Sequence, residues 1–266
     1  MNPTFVVPKL IGGLGNQLFI LAAAMDVAER INRTIVFNET PSNCHNPDDH
    51  SLSILFPTIP IQYGISIDGE YSGNMYSYID ITKSIDCTKK AILISGYNQH
   101  PSYIPSTFCK FIDNIPNVVP YTNMKNIAFL HVRRTDYVNN PTYRCDTDTY
   151  YTKAVSELLI LNPVIKVLVI SDDVQWSNSY IQTLLAPLLS NDRIMTLDKV
   201  YSPTDTLKIM VNCLGGAICA NSTFSWWGAY LNKNRPIYMP SPWTMYDTSP
   251  SLGLYFDGVK QIHLNF

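Results

Sequence analysis

From residue 127 onward, short apolar runs alternate with stretches of helical spacing, and this pattern restricts the fold more than any other feature. "IAFLHVRR", "IKVLVISDD", "DRIMTLD", "GAICAN" and "RPIYMP" read as strands. "DTYYTKAVSELLIL", "SNSYIQTLLAPLLS", "SPTDTLKIMVNCL" and "TFSWWGAYLN" read as the helices between them, the first with Asp148 as its expected N-cap and the second broken near Pro187. Strands alternating with helices require a parallel sheet covered on both faces. The opening repeats the theme, because "FVVPKLIGGLGNQLFILAAAMDVAERIN" reads as strand, glycine-rich turn and helix, with Leu18, Leu21, Ala22 and Met25 on one face. "RTIVFNE" adds a second strand and "AILISGYNQ" (91–99) a short strand ending in a turn, whereas residues 41–78 lack periodicity and are expected to be mostly irregular. The proline-punctuated stretch 101–126 is the expected boundary, dividing the 266 residues into an N-terminal half, 1–120, and a C-terminal half, 121–266.

Bulk properties exclude several classes of function. With 19 basic and 21 acidic residues the net charge is −2, which gives no footprint for nucleic acid or an anionic membrane. No stretch reaches the roughly 18 apolar residues of a spanning helix, and the N-terminus lacks the pattern of a signal peptide. The six cysteines form no CxxC pair and no zinc-ligand spacing. They read as reduced thiols of a soluble, cytoplasmic protein. Cys44–His45 with His50 is the nearest approach to a metal cluster.

Four polar clusters sit where strands end, the place where open parallel sheets bind ligands. The first, "GGLGNQLF", puts Gly13, Gly15, Asn16 and Gln17 at a strand-to-helix turn suited to close approach of an anion or sugar. It lacks the third glycine of the dinucleotide fingerprint, because Leu18 follows Gln17, and Glu39 is only a weak substitute for the fingerprint acid. A tight turn without ligand is the plainer alternative. The second, "HVRRTD", contains the only adjacent pair among seven arginines. Strand alternation puts His131 and Arg133 on one face, with Arg134 on the other and better placed to brace the site. The planar guanidinium suits a phosphate group, and a surface ion pair between Arg133 and Asp136 is the alternative.

The third cluster is Asp172–Asp173 in "VLVISDD", which suits a base, a sugar, a metal or plain helix capping. The fourth, "ANSTFSWWGAYL", opens a helix with Asn221, Ser222, Thr223, Phe224 and Ser225, either as an anion cradle or as N-caps above core tryptophans. Asp146-Thr147-Asp148 has the D-x-D spacing of a metal–diphosphate motif, but it precedes a helix and reads as a cap.

In this order the clusters resemble the α-1,2-fucosyltransferases, glycosyltransferase family 11. The resemblance rests on "GGLGNQLF", "GYNQHPSYI", "HVRRTDY", "SDDVQW" and "NSTFSWWGAYL", and it is weakest over residues 41–90. It implies an α/β, GT-B-like fold of two Rossmann-like parallel-sheet domains facing a cleft. It also implies inverting, metal-independent transfer of fucose from GDP-fucose to a glycan acceptor, commonly a galactoside 2-hydroxyl, with no cofactor. On that basis GDP-fucose falls to the second half, held by His131, Arg133, Arg134, Asp172, Asp173 and Asn221–Ser225. His131 and one of the two aspartates would lie near guanine. Arg133 and Arg134 would stabilise the departing diphosphate, and Asp136 is the first candidate for the base. Gly13, Gly15, Asn16 and Gln17 would serve the reacting sugars from the other half. The rival readings are a GDP-fucose transferase of different linkage, a silent nucleotide-sugar or glycan-binding protein and, more distantly, a dehydrogenase.

Overall fold

A computed structural model describes residues 4–42, 49–143, 145–197, 199–247, 249 and 252–264. The chain divides into two compact units: Met1–Pro116 with Leu252–Phe256, and Asn117–Ser251 with Asp257–Phe266. Each is built on a wholly parallel sheet. No helix among the described residues is long and apolar enough to cross a membrane.

The first unit opens with β1 (Phe5–Pro8), the turn at Gly12–Gly13 and α1 (Leu14–Arg30). Gly12 has φ +75°, and a Cβ there would lie 2.6 Å from the Asn16 side-chain nitrogen, so the turn requires glycine. α1 is buried on most of its circumference, including Leu18–Ala24 without interruption, as expected of a helix packed against a sheet. β2 (Thr34–Ile35), α2 (Ser51–Leu55), β3 (Gly69–Ser72) and β4 (Ala91–Ser95) follow, and the sheet order is β2-β1-β4-β3. The stretch 41–78, expected to be mostly irregular, therefore carries a helical turn and an edge strand. Over 91–99 the short strand ends in a turn as expected: β4 stops at Ser95, and Gly96 (φ +76°) and Asn98 (φ 48°) turn the chain.

The second unit contains β5 (Ile127–Val132), α3 (Thr147–Leu161), β6 (Lys166–Ser171), α4 (Val174–Leu185) and β7 (Ile194–Thr196). α5 (Pro203–Asn212), β8 (Gly216–Ile218), α6 (Thr223–Tyr230), β9 (Ile237–Ser241) and β10 (Val259–His263) complete it. β10 lies beyond what reads as the last strand. The order β10-β9-β8-β5-β6-β7 reverses direction between β5 and β8. Right-handed crossovers then place α3 and α4 on one face and α5 and α6 on the other. Packing agrees: Ala128, Leu130 and Val132 join Tyr151, Ala154 and Ile181 in one core cluster, while His131 faces Phe224 of α6.

Two sets of hydrogen bonds secure helix ends in this unit. Asp146, rather than Asp148, caps α3, its carboxylate accepting from Thr149 N–H at 3.0 Å. Asp148 sits in the first turn, where its carboxylate accepts from the Tyr180 hydroxyl. On the opposite face Arg235 is 7% exposed and donates to the carbonyls of Met210 (2.6 Å), Gly228 (2.5 Å) and Cys213. These carbonyls lie in the last turns of α5 and α6 or just past them, where a cation is favoured.

Candidate functional site

At the carboxyl end of the second sheet, one carboxylate organises the turn after β5. Asp172 Oδ1 accepts from the Arg134 backbone N–H at 2.9 Å. Its Oδ2 accepts from Thr135 N–H (3.2 Å) and Oγ1 (2.6 Å) and pairs with Arg133 Nη1 at 3.1 Å. Burial raises the Asp172 pKa, but the Thr135 hydroxyl and the charges of Arg133 and His131 outweigh it and hold the group below the usual carboxylate value. Through these contacts Asp172 shapes the turn after β5.

The two arginines after β5 take different partners. Arg133 donates from Nε (2.8 Å) and Nη2 (2.6 Å) to Asp136 Oδ1, so the ion pair weighed as the alternative is present. Both partners keep exposure, at 24% and 42% of their side chains, so the pair contributes little to stability. Arg134 donates from Nε to Asp173 Oδ2 at 2.9 Å, and its guanidinium carbon lies 3.5 Å from the centre of the Trp176 ring. Its two terminal nitrogens have no hydrogen bond among the described residues. Asp173 also caps α4, accepting from Trp176 N–H at 3.3 Å.

His131 is 4% exposed, and its Nδ1 is buried without a partner among the described residues. Burial is the main cause of its low pKa; Asp172 opposes it, Arg133 adds to it, and the net value is about 4. The imidazole is therefore neutral at physiological pH and retains an unused nitrogen. Its ring centroid lies 6.0 Å from that of Phe224, in the first turn of α6.

The residues opening α6 divide by role. Ser222 is the N-cap but makes no side-chain cap, so hydroxyl capping does not account for this cluster. The Asn221 amide donates to the carbonyls of Tyr143 (3.2 Å) and Trp243 (3.1 Å). Ser225, fully buried, donates to those of Ala220 (3.4 Å) and Ser222 (3.2 Å). Asn221 and Ser225 are thus internal braces, while Ser222, Thr223 and Phe224 form the helix start itself. Tyr137 lies parallel to Tyr143, with centroids 3.9 Å apart, and donates to the Asn221 carbonyl at 3.0 Å. A cavity of about 150 Å³ opens here, lined by Arg133, Arg134, Tyr137, Tyr143, Trp176 and Asn221 among others.

The sheet end of the first unit carries an exposed ion pair, Lys9–Glu70 at 3.0 Å, beside a turn without charged side chains. Gly13 is the N-cap of α1, which has no acidic residue in its first turn. Gln17, 2% exposed, donates to the carbonyls of Gly12 (3.2 Å) and Ser42 (2.6 Å) and thereby braces the glycine turn. Asn16 accepts from Gln99 Nε2 at 3.1 Å. Gln99 is 5% exposed. Gly15, in the first turn of α1, is buried.

Sequence reasoning assigned no role to Thr135, Tyr137, Tyr143, Trp176, Tyr180 or Gln99. Trp176 stands inside "SDDVQW", three residues after a capping aspartate, and that offset was the available signal. Cys44 and His45 lie outside the described residues, and His50 Nδ1 sits 2.8 Å from the Pro41 carbonyl. Among the described residues no group of three His, Cys, Asp or Glu is arranged to hold a metal ion.

Over 246 residues the chain is 27% identical to a galactoside 2-alpha-L-fucosyltransferase of Caenorhabditis elegans, covering 84% of this chain and 68% of that one. It is 29% identical to an alpha-1,2-colitosyltransferase of Escherichia coli, covering 90% and 92%. It is 32% identical over 125 residues to the E. coli O-antigen biosynthesis glycosyltransferase WbnK, a stretch that spans 44% of this chain and only 39% of that protein. Among solved structures, fucosyltransferase NodZ from Bradyrhizobium superposes with a TM-score of 0.54 at 14% identity, covering 88% of this chain and 95% of that one. POFUT1 superposes with 0.50 at 12%, covering 90% and 97%. These likenesses concern the fold, which is of the GT-B type. Residues 110–250, more than half of the chain, match the sequence profile of Glycosyl transferase family 11. On that match the chain belongs to glycosyl transferase family 11.

Proposed function

We propose that this protein transfers fucose from GDP-fucose to the 2-hydroxyl of a galactoside, with inversion and without a metal ion. The observation that carries this reading is the arginine pair at the carboxyl end of the second sheet. Arg134 presents two unengaged nitrogens, and Arg133 is held by the half-exposed Asp136 and the more buried Asp172. Breaking the sugar–phosphate bond leaves negative charge on the departing diphosphate. Fixed guanidinium groups, together with the backbone N–H groups opening α6, supply the countercharge. Arg133 changes partner, from Asp136 to phosphate, and this releases Asp136 to take the acceptor proton. The neutral His131, with its unused Nδ1, offers a hydrogen bond to the base of the donor. Asn16 with Gln99 serves the sugar hydroxyls. The relatives named as fucosyltransferases support the donor class.

The test is direct. Protein, GDP-fucose and a panel of galactosides should release GDP, and NMR of the product should give an α-1,2 linkage. Initial rates should be unchanged in EDTA, because Asp146 acts as a helix cap and arginines carry the charge. Release of GDP without a fucosylated product, or a different linkage, would overturn the assignment. A second reading has one specific support, the colitosyltransferase aligned over most of both chains. Offering the fucose and colitose donors in competition distinguishes the two.

A further inference from the structure

We propose that Trp176 is a positioning residue, whose ring fixes the plane of Arg134 and aims its two free nitrogens at a phosphate group. The inference rests on the donor reading above. An exposed tryptophan is unusual without a partner, and Trp176 is 39% exposed. It has two neighbours. The Arg134 guanidinium carbon lies 3.5 Å from its ring centre, a close cation–π contact. Tyr180, one helical turn on, stacks against it with centroids 4.6 Å apart and planes 21° from parallel. Tyr180 is itself anchored: its hydroxyl donates to Asp148 and lies 3.0 Å from Thr147 Oγ1, both at the start of α3. Burial first, and then the Asp148 carboxylate, raise the Tyr180 pKa, so the phenol remains a donor at any working pH.

The first turn of α4 thus holds the arginine at two points. Asp173 takes Nε in the guanidinium plane, and Trp176 covers the flat face. The same carboxylate caps Trp176 N–H, so cap and arginine share one anchor. What remains exposed is the edge with the two terminal nitrogens, the part that makes parallel hydrogen bonds to phosphate oxygens. A side chain already held in its binding geometry gives up less conformational freedom when the anion arrives.

The experiment measures GDP affinity by calorimetry for the wild type, Trp176→Phe, Trp176→Leu, Arg134→Ala and the Trp176→Leu/Arg134→Ala double variant. Trp176→Leu should weaken GDP binding roughly 5- to 30-fold, the range of a partly desolvated cation–π contact. Trp176→Phe should stay within about threefold. In the Arg134→Ala background the leucine change should add nothing beyond about twofold, because the tryptophan acts through the arginine. A merely structural tryptophan would give additive losses, and phenylalanine as harmful as leucine would likewise overturn the proposal. Should Trp176→Leu fail to fold, Asp173→Asn keeps a cap while loosening Nε, and it should show the same non-additivity with Arg134→Ala.

A ligand-free readout separates this inference from the donor reading. The Arg134 Nε–H resonance, assigned by its absence in Arg134→Ala, should be displaced upfield by the indole ring current and return to the ordinary arginine position in Trp176→Leu. An unshifted resonance in the wild type would overturn the holder. A shifted resonance with no GDP binding would overturn the donor reading and the phosphate partner, leaving only the arginine's placement.

Discussion

The carboxyl ends of the two parallel sheets are built from different chemistry. In the first unit, Lys9 just past β1 pairs with Glu70 at the surface, while residues 10–19 and 96–99 contain no charged side chain and carry the amides of Asn16, Gln17, Asn98 and Gln99. In the second, Arg133, Arg134, Asp136, Asp172 and Asp173 lie within a few residues of the strand ends. Both ends use a turn followed by a helix N-terminus, so backbone geometry does not account for the contrast. Side-chain amides donate and accept in equal measure, which suits sugar hydroxyls. Guanidinium groups poised on carboxylates suit an anion that arrives and then departs with more charge. On the proposed function, one parallel-sheet architecture would serve two kinds of recognition through the residues placed at its rim.

The contrast yields predictions of graded size. Arg133→Lys keeps the charge but loses the planar fork, and turnover should fall 10²–10³-fold, about 3–4 kcal/mol of transition-state stabilisation. A near-normal rate would remove Arg133 from the charged end. Gln17→Ala leaves the Gly12 and Ser42 carbonyls without their donor and should cost roughly 1–3 kcal/mol of stability, read from a denaturant midpoint. Asn16→Ala should lower transfer about tenfold, the loss of roughly one hydrogen bond to the reacting sugars. GDP affinity should change by less than about twofold, and a parallel loss of GDP affinity would erase the proposed division between the two ends.

The smallest effect concerns pH. His131 has a folded pKa near 4, below its ordinary 6.5. Between those values the unfolded chain binds a proton that the folded one does not, so stability falls as pH drops. From pH 6.5 to 5.5 this amounts to about 1 kcal/mol. His131→Gln should flatten that part of the profile, and an unchanged slope would argue against a buried neutral imidazole. Asp172, held below its ordinary value, loses its contribution only at lower pH, as it becomes protonated.

The alternation after residue 127 was legible because each strand there is a continuous apolar run, and such runs are buried on both faces. The polar clusters at their ends were legible for the same reason, since a charge that ends an apolar run marks a strand terminus. β3 was not, because Gly69–Ser72 carries glycine, glutamate and serine and is a strand only through its pairing with β4. β10 alternates Val259, Gln261 and His263 with Lys260 and Ile262, and nothing in its own sequence announces a parallel partner in β9. In "CDTDTYY" two aspartates compete for one cap. Asp146 takes it, since its carboxylate reaches Thr149 N–H three residues ahead, the usual N-cap spacing. At the site, residue types pointed to the arginines and to the Arg133–Asp136 pair, but not to the other partners. The division of labour between Asp172 and Asp173, and the stacking of Arg134 on Trp176, join segments about forty positions apart that only the register of β5 on β6 brings together.

The passage of the chain between its units has a consequence for recombination. Leu252–Phe256 belongs to the first unit, although the residues on either side of it belong to the second. Leu254 there is fully buried, Gly253 N–H donates to the Tyr76 carbonyl at 2.9 Å, and a Cβ on Gly253 would lie 2.2 Å from the His100 ring. A hybrid made by joining this N-terminal portion to a relative's C-terminal portion at the Pro116–Asn117 crossing would import a foreign plug into a native socket. Exchange of halves among relatives therefore requires these five residues to travel with the N-terminal partner, and in evolution they should be inherited with it.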